Sequence, residues 1–260
     1  VIVLSDQLAE DIRTAPLAGV IKSWAFAASN QGDAGLAHLK KTGQLSLSIN
    51  NTIPHHIQIQ SVLMAEYLGH TDEAIFAATN LAKSSKLPIK IALQTIGVLM
   101  RNNKNVEADS LLEKLPFSFD RSQINPSQLM SPRNEAAYIA NAIINSAVAY
   151  DDPQNISMVT ARLKLALYLD PENHSARFFL AQSWFDLNQY SRAKKLLLSI
   201  DENSIWALPA LLLQNNIDIK TDNINLAIER FDEYVIRHPE NAYLYKDGSK
   251  EYRLSDLINT

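Results

Sequence analysis

Small residues recur at a 34-residue interval along this chain, at Ala74 and Ala108 and again at Ala193 and Ala227. Val159 stands one further interval before Ala193. An interval of this length with helical patterning is typical of a tandem array in which every unit is a pair of helices. The interval therefore predicts an all-α fold built from repeated helical hairpins.

Five blocks of this length align on the interval, and they cover positions 55–88, 89–122, 140–173, 174–207 and 208–241. One helical turn after the small residue, each block carries an apolar side chain on the same helix face: Ala78, Leu112, Leu163, Leu197 and Phe231. Turn residues between the two predicted helices of a block lie at Gly69, at Asn102 and Asn103, and at Asn188 and Gln189. A similar turn around Gly32 and Asp33 predicts a sixth, less regular unit over about 18–51.

One irregularity divides the array, because Ala108 and Val159 are separated by one interval plus half of another. Pro116, Pro126 and Pro132 fall in this stretch and disfavour a long additional helix. We therefore predict a loop over about 116–131, followed by a helix with Ser131 as its cap and Pro132 at its first position. The last segment, 242–260, is predicted to be one further helix that either caps the array or continues into more of it.

Composition excludes several partner classes. The 24 basic and 28 acidic residues give a net charge of −4, so the chain lacks the broad basic field that nucleic acids attract. No apolar run approaches the roughly 18 to 20 residues of a membrane-spanning helix. Because the chain does not begin with Met, it is expected to be a processed or partial form, and its compartment is not determined by the sequence.

A search for catalytic chemistry yields no candidate residue. The chain has no Cys, no glycine-rich phosphate loop and no His-Glu spacing of a helical zinc site. His55 and His56 are the only adjacent histidines, and without nearby carboxylates they are interpreted as the start of a helix rather than a metal site. We therefore predict no catalytic residue, no metal and no cofactor.

The residues resemble the tetratricopeptide repeat proteins, and the resemblance reaches nearly the whole chain. The block 174–207 is the closest match and carries, in family order, Leu180, Ala181, Trp184, Tyr190, Ala193 and Leu197, and Pro171 and Pro239 occupy the proline position of their blocks. Arg177 departs from the family where Trp is usual, as do Asn215 and Asp218 where small and aromatic residues are expected. The segment 165–173, Leu-Ala-Leu-Tyr-Leu-Asp-Pro-Glu-Asn, is similar to repeats of bacterial members of the family. The resemblance implies a right-handed α-α superhelix of helix-turn-helix repeats.

In this family the first helices of the repeats line a concave groove that binds proteins or peptides. Carrying over the family's groove positions, together with Phe185, gives this candidate set: Ile59, Leu63, Leu93, Ile144, Val148, Phe178, Gln182, Phe185, Leu212 and Asn216. Gly97 falls at the matching position of its block. Some family members bind the terminal carboxylate of a chaperone tail through Lys and Asn side chains at these positions. Because the set in this chain is largely apolar, that class of partner is not expected. An alternative is that Phe178 and its neighbours belong to the core between helices.

The predicted function is therefore a non-catalytic scaffold that binds an apolar or amphipathic segment of a protein partner in this groove. Two alternatives from other classes stay open. One is a structural or self-associating subunit of a larger assembly, with a cell-envelope assembly as one case. The other is the regulatory repeat region of an enzyme whose catalytic part lies outside this chain.

Overall fold

The computed structural model describes residues 15–84, 86–115, 124–129, 134–149 and 155–238. All regular structure in these ranges is helical, which confirms the all-α class, and the chain divides into two compact units, Val1–Glu172 and Asn173–Thr260. The helices of the first unit are α1 (Ala15–Ala28), α2 (Gly32–Asn50), α3 (His55–Tyr67), α4 (Thr71–Ala82), α5 (Ile89–Arg101), α6 (Asn105–Leu112), α7 (Pro126–Leu129), α8 (Glu135–Val148) and α9 (Ile156–Leu169). Those of the second unit are α10 (His174–Asp186), α11 (Tyr190–Leu197), α12 (Ala207–Lys220) and α13 (Ile224–Arg237).

The turn inside five of the hairpins contains a residue with left-handed backbone geometry: Asn30, Gly69, Asn103, Asn188 and Asp222, with φ between 57° and 76°. Asn, Asp and Gly adopt this geometry at the lowest cost. The following amide donates to a carbonyl five residues earlier, as from His70 to Ala65 at 2.8 Å and from Gln189 to Trp184 at 2.7 Å. This hydrogen bond closes the first helix. The predicted turns at Gly69, Asn102–Asn103 and Asn188–Gln189 are thus confirmed.

Small residues lie where the two helices of a hairpin cross. Ala74, Ala108, Ala193 and Ala227 are completely buried. In the first hairpin Gly35 takes this place, since a Cβ there would stand 2.5 Å from the carbonyl oxygen of Ser23. Helix α2, with 19 residues, is longer than the second helices of the other hairpins.

The first six helices of the first unit form three hairpins, α1–α2, α3–α4 and α5–α6. Each helix contacts the next one along the chain, and the first helices also contact one another, α1 with α3 and α3 with α5. The core between them includes Trp24, Leu39, Ile57, Met64 and Leu99, each less than 2% exposed. This nearest-neighbour packing is what stacked helical hairpins produce.

The inserted stretch contains the short helix α7, which packs on α5. Helix α8 begins at Glu135, and its N-cap is Asn134, whose side chain accepts a hydrogen bond from the Ala137 amide at 3.0 Å. The helix therefore starts three residues after Pro132, where a side chain that bonds the first-turn amides is available. Ser131 and Pro132, like most of the predicted loop, lie outside the described residues.

The second unit repeats the hairpin design. Helix α10 begins at His174, capped by Asn173, which accepts from the Ala176 amide at 3.1 Å. α12 contacts α10, α11 and α13. The helix expected over 242–260 lies outside the described residues.

Candidate functional site

The structure places most of the apolar groove residues out of contact with solvent. In the first unit Ile59, Leu63, Leu93 and Ile144 are at most 3% exposed, and Val148 is half-buried. In the second unit Phe178 and Leu212 are buried, Phe185 and Asn216 are half-buried, and Gln182 is exposed. Most of the apolar members therefore belong to the core. A partner could contact only Gln182, Asn216, Phe185 and the accessible part of Val148.

Helix α8 packs against the first helices of the three hairpins in the first unit. It contacts α1 and α3 and is hydrogen-bonded to α5. We call the surface on which it lies the inner face, formed by Trp24, Gln60, Tyr67, Lys90 and Gln94 of α1, α3 and α5. Ile144 and Val148 were expected to line a groove beside Ile59 and Leu93, but they belong to the helix that occupies this face.

An aromatic cluster holds the N-terminal end of α8. The rings of Trp24 and Tyr138 stack with centroids 4.1 Å apart and planes 13° apart. Tyr67 meets Tyr138 edge-on at 5.2 Å, and its hydroxyl donates to Glu135 Oε1 at 2.9 Å. The Trp24 indole N–H donates to Gln60 Oε1 at 2.8 Å, which satisfies the buried polar atom of that ring. Burial raises the pKa of Tyr138 to about 12, so this phenol stays neutral at physiological pH.

A chain of amides holds the C-terminal half of α8 against α5. Lys90 Nζ donates to Asn141 Oδ1 at 2.8 Å, and Gln94 Nε2 donates to the same oxygen at 3.3 Å. Asn145 Nδ2 donates to Gln94 Oε1 at 2.8 Å. Asn141 and Asn145 lie four residues apart, as do Lys90 and Gln94, so α8 and α5 meet along one turn of each helix.

Two basic groups are buried near this interface. Burial lowers the pKa of Lys90 to about 7, against a smaller opposite effect of the Asp170 carboxylate. Burial, followed by the positive charges of Arg162 and His55, lowers the pKa of His56 to about 4. His56 is therefore a neutral buried ring at the start of α3, at neutral pH.

Gly97 is the point at which α7 approaches α5. A Cβ on Gly97 would stand 2.8 Å from Leu129 Cβ and 3.0 Å from Arg101 Nη1. Arg101 donates to the Pro126 carbonyl at 2.6 Å and to both carboxylate oxygens of Glu66 at 2.9 and 2.7 Å. Gly97 falls at a position that the family resemblance assigns to the groove. In this structure the missing side chain instead leaves room for Leu129 of α7.

Sequence reasoning missed the polar residues that carry these contacts. A signal for them was present, since Gln60 and Gln94 are separated by one repeat interval, as are His56 and Lys90. Polar side chains repeated at one position on the apolar side of the first helices indicate a buried polar partner. For Lys90 and Gln94 the partner is α8, and for Gln60 it is Trp24 of α1. Neither partner could be identified without the tertiary arrangement.

In the second unit the accessible candidates surround a tightly packed interior. The rings of Phe178, Phe179 and Trp206 lie 5.2 to 5.3 Å apart. Asp218 is completely buried and paired with Lys194 and with Arg230, whose Nη1 lies 2.5 Å from Asp218 Oδ2. Phe185 packs on Tyr190 at 5.6 Å and, with Gln182 and Asn216, is left partly accessible.

Within the described ranges, no three His, Asp or Glu side chains come together as metal ligands would. No helix in the same ranges combines the length and the apolar character needed to cross a membrane. No protein-family model matches the chain, and no curated protein is significantly similar to it.

Proposed function

We propose that this protein is a non-catalytic interaction scaffold that binds an apolar or amphipathic helical segment of a partner protein. Its hairpins would form a right-handed superhelical array of the tetratricopeptide type. The observation that supports this proposal is the way α8 lies on the inner face of the first unit. There α8 packs on the first helices of three hairpins. Its contacts are stacked aromatic rings near its N-terminal end and side-chain hydrogen bonds from Asn141 and Asn145. Helix-in-groove recognition between proteins uses the same kinds of contact.

Because α8 already covers the inner face of the first unit, the proposed contact with a partner lies in the second unit. Gln182 and Phe185 on α10 and Asn216 on α12 are the groove candidates that are accessible there. One accessible aromatic ring and two accessible amides suit a helix that presents an apolar stripe flanked by polar side chains.

The test is affinity purification from the native cell with quantitative mass spectrometry, comparing the wild type with Phe185→Ser. The matched control is Phe76→Ser on α4, which removes another phenylalanine, one that is 70% exposed. We expect Phe185→Ser to lose a partner that the wild type and Phe76→Ser retain, with helicity unchanged by circular dichroism. Retention of every partner by Phe185→Ser would refute the assigned site. If no protein is enriched over a tag-only control, the scaffold role itself is wrong.

Phe178→Ser separates the groove from the core. Phe178 is 9% exposed and packs on Trp206, so we expect this change to lower stability and helicity rather than binding alone. Loss of partner capture by a fully folded Phe178→Ser variant would instead place this ring in the binding surface.

A further inference from the structure

A cavity of about 500 Å³ opens to solvent in the second unit, beside the turns of its two hairpins. The turn between α10 and α11 and the first residues of α11 supply most of its wall, and the end of α12 supplies the rest. The lining residues are Asn188, Gln189, Tyr190, Ser191, Arg192 and Thr221. A cavity of this volume admits a side chain or a small molecule.

The side chains of the wall leave mainly hydrogen-bond donors for a ligand. The Tyr190 hydroxyl donates to Asn188 Oδ1 at 2.7 Å, and Arg192 Nη1 donates to Gln189 Oε1 at 2.8 Å. Because a guanidinium only donates, the second bond fixes which end of the Gln189 amide faces Arg192. Within the described residues, Asn188 Nδ2, Gln189 Nε2 and the Ser191 hydroxyl have no hydrogen-bond partner. The acceptor oxygens of both amides are thus engaged inside the chain, while their N–H groups remain available.

Arg192 is the one charged residue of the lining, and its side chain is exposed. Its guanidinium carbon lies 5.9 Å from the centroid of the Trp184 ring, a cation–π contact that favours this placement. In the described part of the chain Arg192 takes part in no ion pair, although Asp186 and Asp222 lie beside the lining segments. Its Nε and Nη2 are therefore left to bind an anion.

The cavity adjoins the contact proposed for the partner protein. Tyr190, in the wall, packs on Phe185 with ring centroids 5.6 Å apart. A partner segment that contacts Phe185 therefore passes close to the cavity. One cation surrounded by neutral donors matches a monoanion whose oxygens only accept, which is what the side chain of Asp or Glu presents.

We propose that this cavity binds the carboxylate of an Asp or Glu side chain of the partner segment, through Arg192 and the N–H groups of Asn188 and Gln189. This inference rests on the proposed function, and it adds an acidic residue to the apolar or amphipathic segment. The cation belongs to α11, the second helix of its hairpin, so the site is separate from the groove positions on the first helices.

NMR titration of the 260-residue chain tests the chemistry of the cavity without the partner. The probe is N-acetyl-glutamate α-amide, which carries one side-chain carboxylate and no terminal one. We expect it to shift the Arg192 Nε–H signal and the side-chain amide signals of Asn188 and Gln189, with a dissociation constant of about 1 to 10 mM. The neutral control, N-acetyl-glutamine α-amide, should shift them several-fold less.

Three results of this titration would overturn the proposal. They are the absence of shifts at these signals, equal shifts with the neutral compound, and tighter binding of inorganic phosphate at the same signals. The last result would assign the cavity to a different anion.

Arg192→Gln tests the role of the cation. The matched control is Lys195→Gln, which removes another exposed positive charge of α11 from outside the lining. Arg192→Gln should weaken binding of the acidic compound about tenfold, with helicity unchanged by circular dichroism, and Lys195→Gln should leave it unchanged. Equal weakening by both variants would indicate general electrostatic attraction and contradict a specific site.

Affinity purification with Arg192→Gln separates this inference from the proposed function. The variant should lose the partner that Phe185→Ser loses, while Lys195→Gln retains it. A partner lost by Phe185→Ser and retained by Arg192→Gln would refute the carboxylate site and leave the proposed function standing. Enrichment of no protein over the tag-only control counts against the proposed function, whereas the titration counts for or against the carboxylate site by itself.

Discussion

At the scale of single residues, polar side chains decide which surface of the first helices is covered. Gln60, Lys90 and Gln94 lie among the buried residues of α3 and α5, and each is at most 6% exposed. Buried amides and ammonium groups cost free energy unless they are hydrogen-bonded. Asn141 supplies partners to both Lys90 and Gln94, so these residues favour one placement of α8 over others with the same apolar contacts.

Lys90 gives a prediction about pH. Burial holds its pKa at about 7 in the folded protein, below its value near 10.5 in an unfolded chain. Between these values the unfolded state binds a proton that the folded state does not, so stability contributed by Lys90 rises with pH. Between pH 7 and pH 9.5, the free energy of unfolding of the wild type should therefore increase relative to that of Lys90→Met. The increase should be at most about 1.4 kcal/mol per pH unit.

Chemical denaturation at a series of pH values measures this difference. Lys86→Met, at an exposed position shortly before α5, is the control, and its stability should run parallel to the wild type. A constant difference between wild type and Lys90→Met across the interval would contradict the assigned burial of the amine.

At the scale of elements, the insertion between α6 and α8 changes what the repeats can do. The additional half interval was expected to form a loop between two halves of an array. The described part instead places α7 on α5 and α8 across the first helices of three hairpins. Sequence periodicity located the interruption correctly but could not tell where the chain goes afterwards, because that depends on contacts between residues far apart in the chain, such as Trp24 and Tyr138.

Gly97 tests the seating of α7. Replacing a helical glycine by alanine ordinarily stabilises a helix by roughly 0.5 to 1 kcal/mol. At Gly97 the new methyl group would meet Leu129 at 2.8 Å, so we expect Gly97→Ala to destabilise the first unit by about 1 to 3 kcal/mol. The matched control is Gly43→Ala in α2, where the nearest atoms belong to Ile53 at 3.6 Å, and it should be neutral or stabilising. Urea denaturation of both variants measures the contrast, and equal stabilisation would show that α7 does not press on this position.

At the scale of the whole molecule, the chain forms two compact units, and the first is closed by its own eighth helix. Seven consecutive residues of α8, Asn141 to Ala147, are buried. A helix buried on all sides is a core element. Helix α5, in which Lys90 to Leu99 are all buried, meets the same criterion. The centre of the first unit is therefore formed by α5 and α8 together.

Closure of the first unit can be measured with a double-mutant cycle between its ends. Trp24→Leu and Tyr138→Leu should each destabilise the unit, and the double variant should lose less than the sum, with a coupling of about 0.5 to 1.5 kcal/mol for a stacked pair. The comparison cycle pairs Trp24→Leu with Val106→Ala on α6, which is 80% exposed, and should be additive. Additivity in both cycles would mean that α8 is not held by this stack.

The sequence by itself determined the features that depend on nearest neighbours. Ala74 and Ala193 marked the helix crossings, Gly69 and Asn188 marked the turns, and the interval between them predicted the helical hairpins, because these features arise within a single repeat of the chain. Only the tertiary structure decided that Ile59, Leu63 and Leu93 are covered by the chain itself. Apolar spacing identifies a surface that must leave water, but it does not specify whether a partner, a neighbouring helix or a distant segment provides the cover.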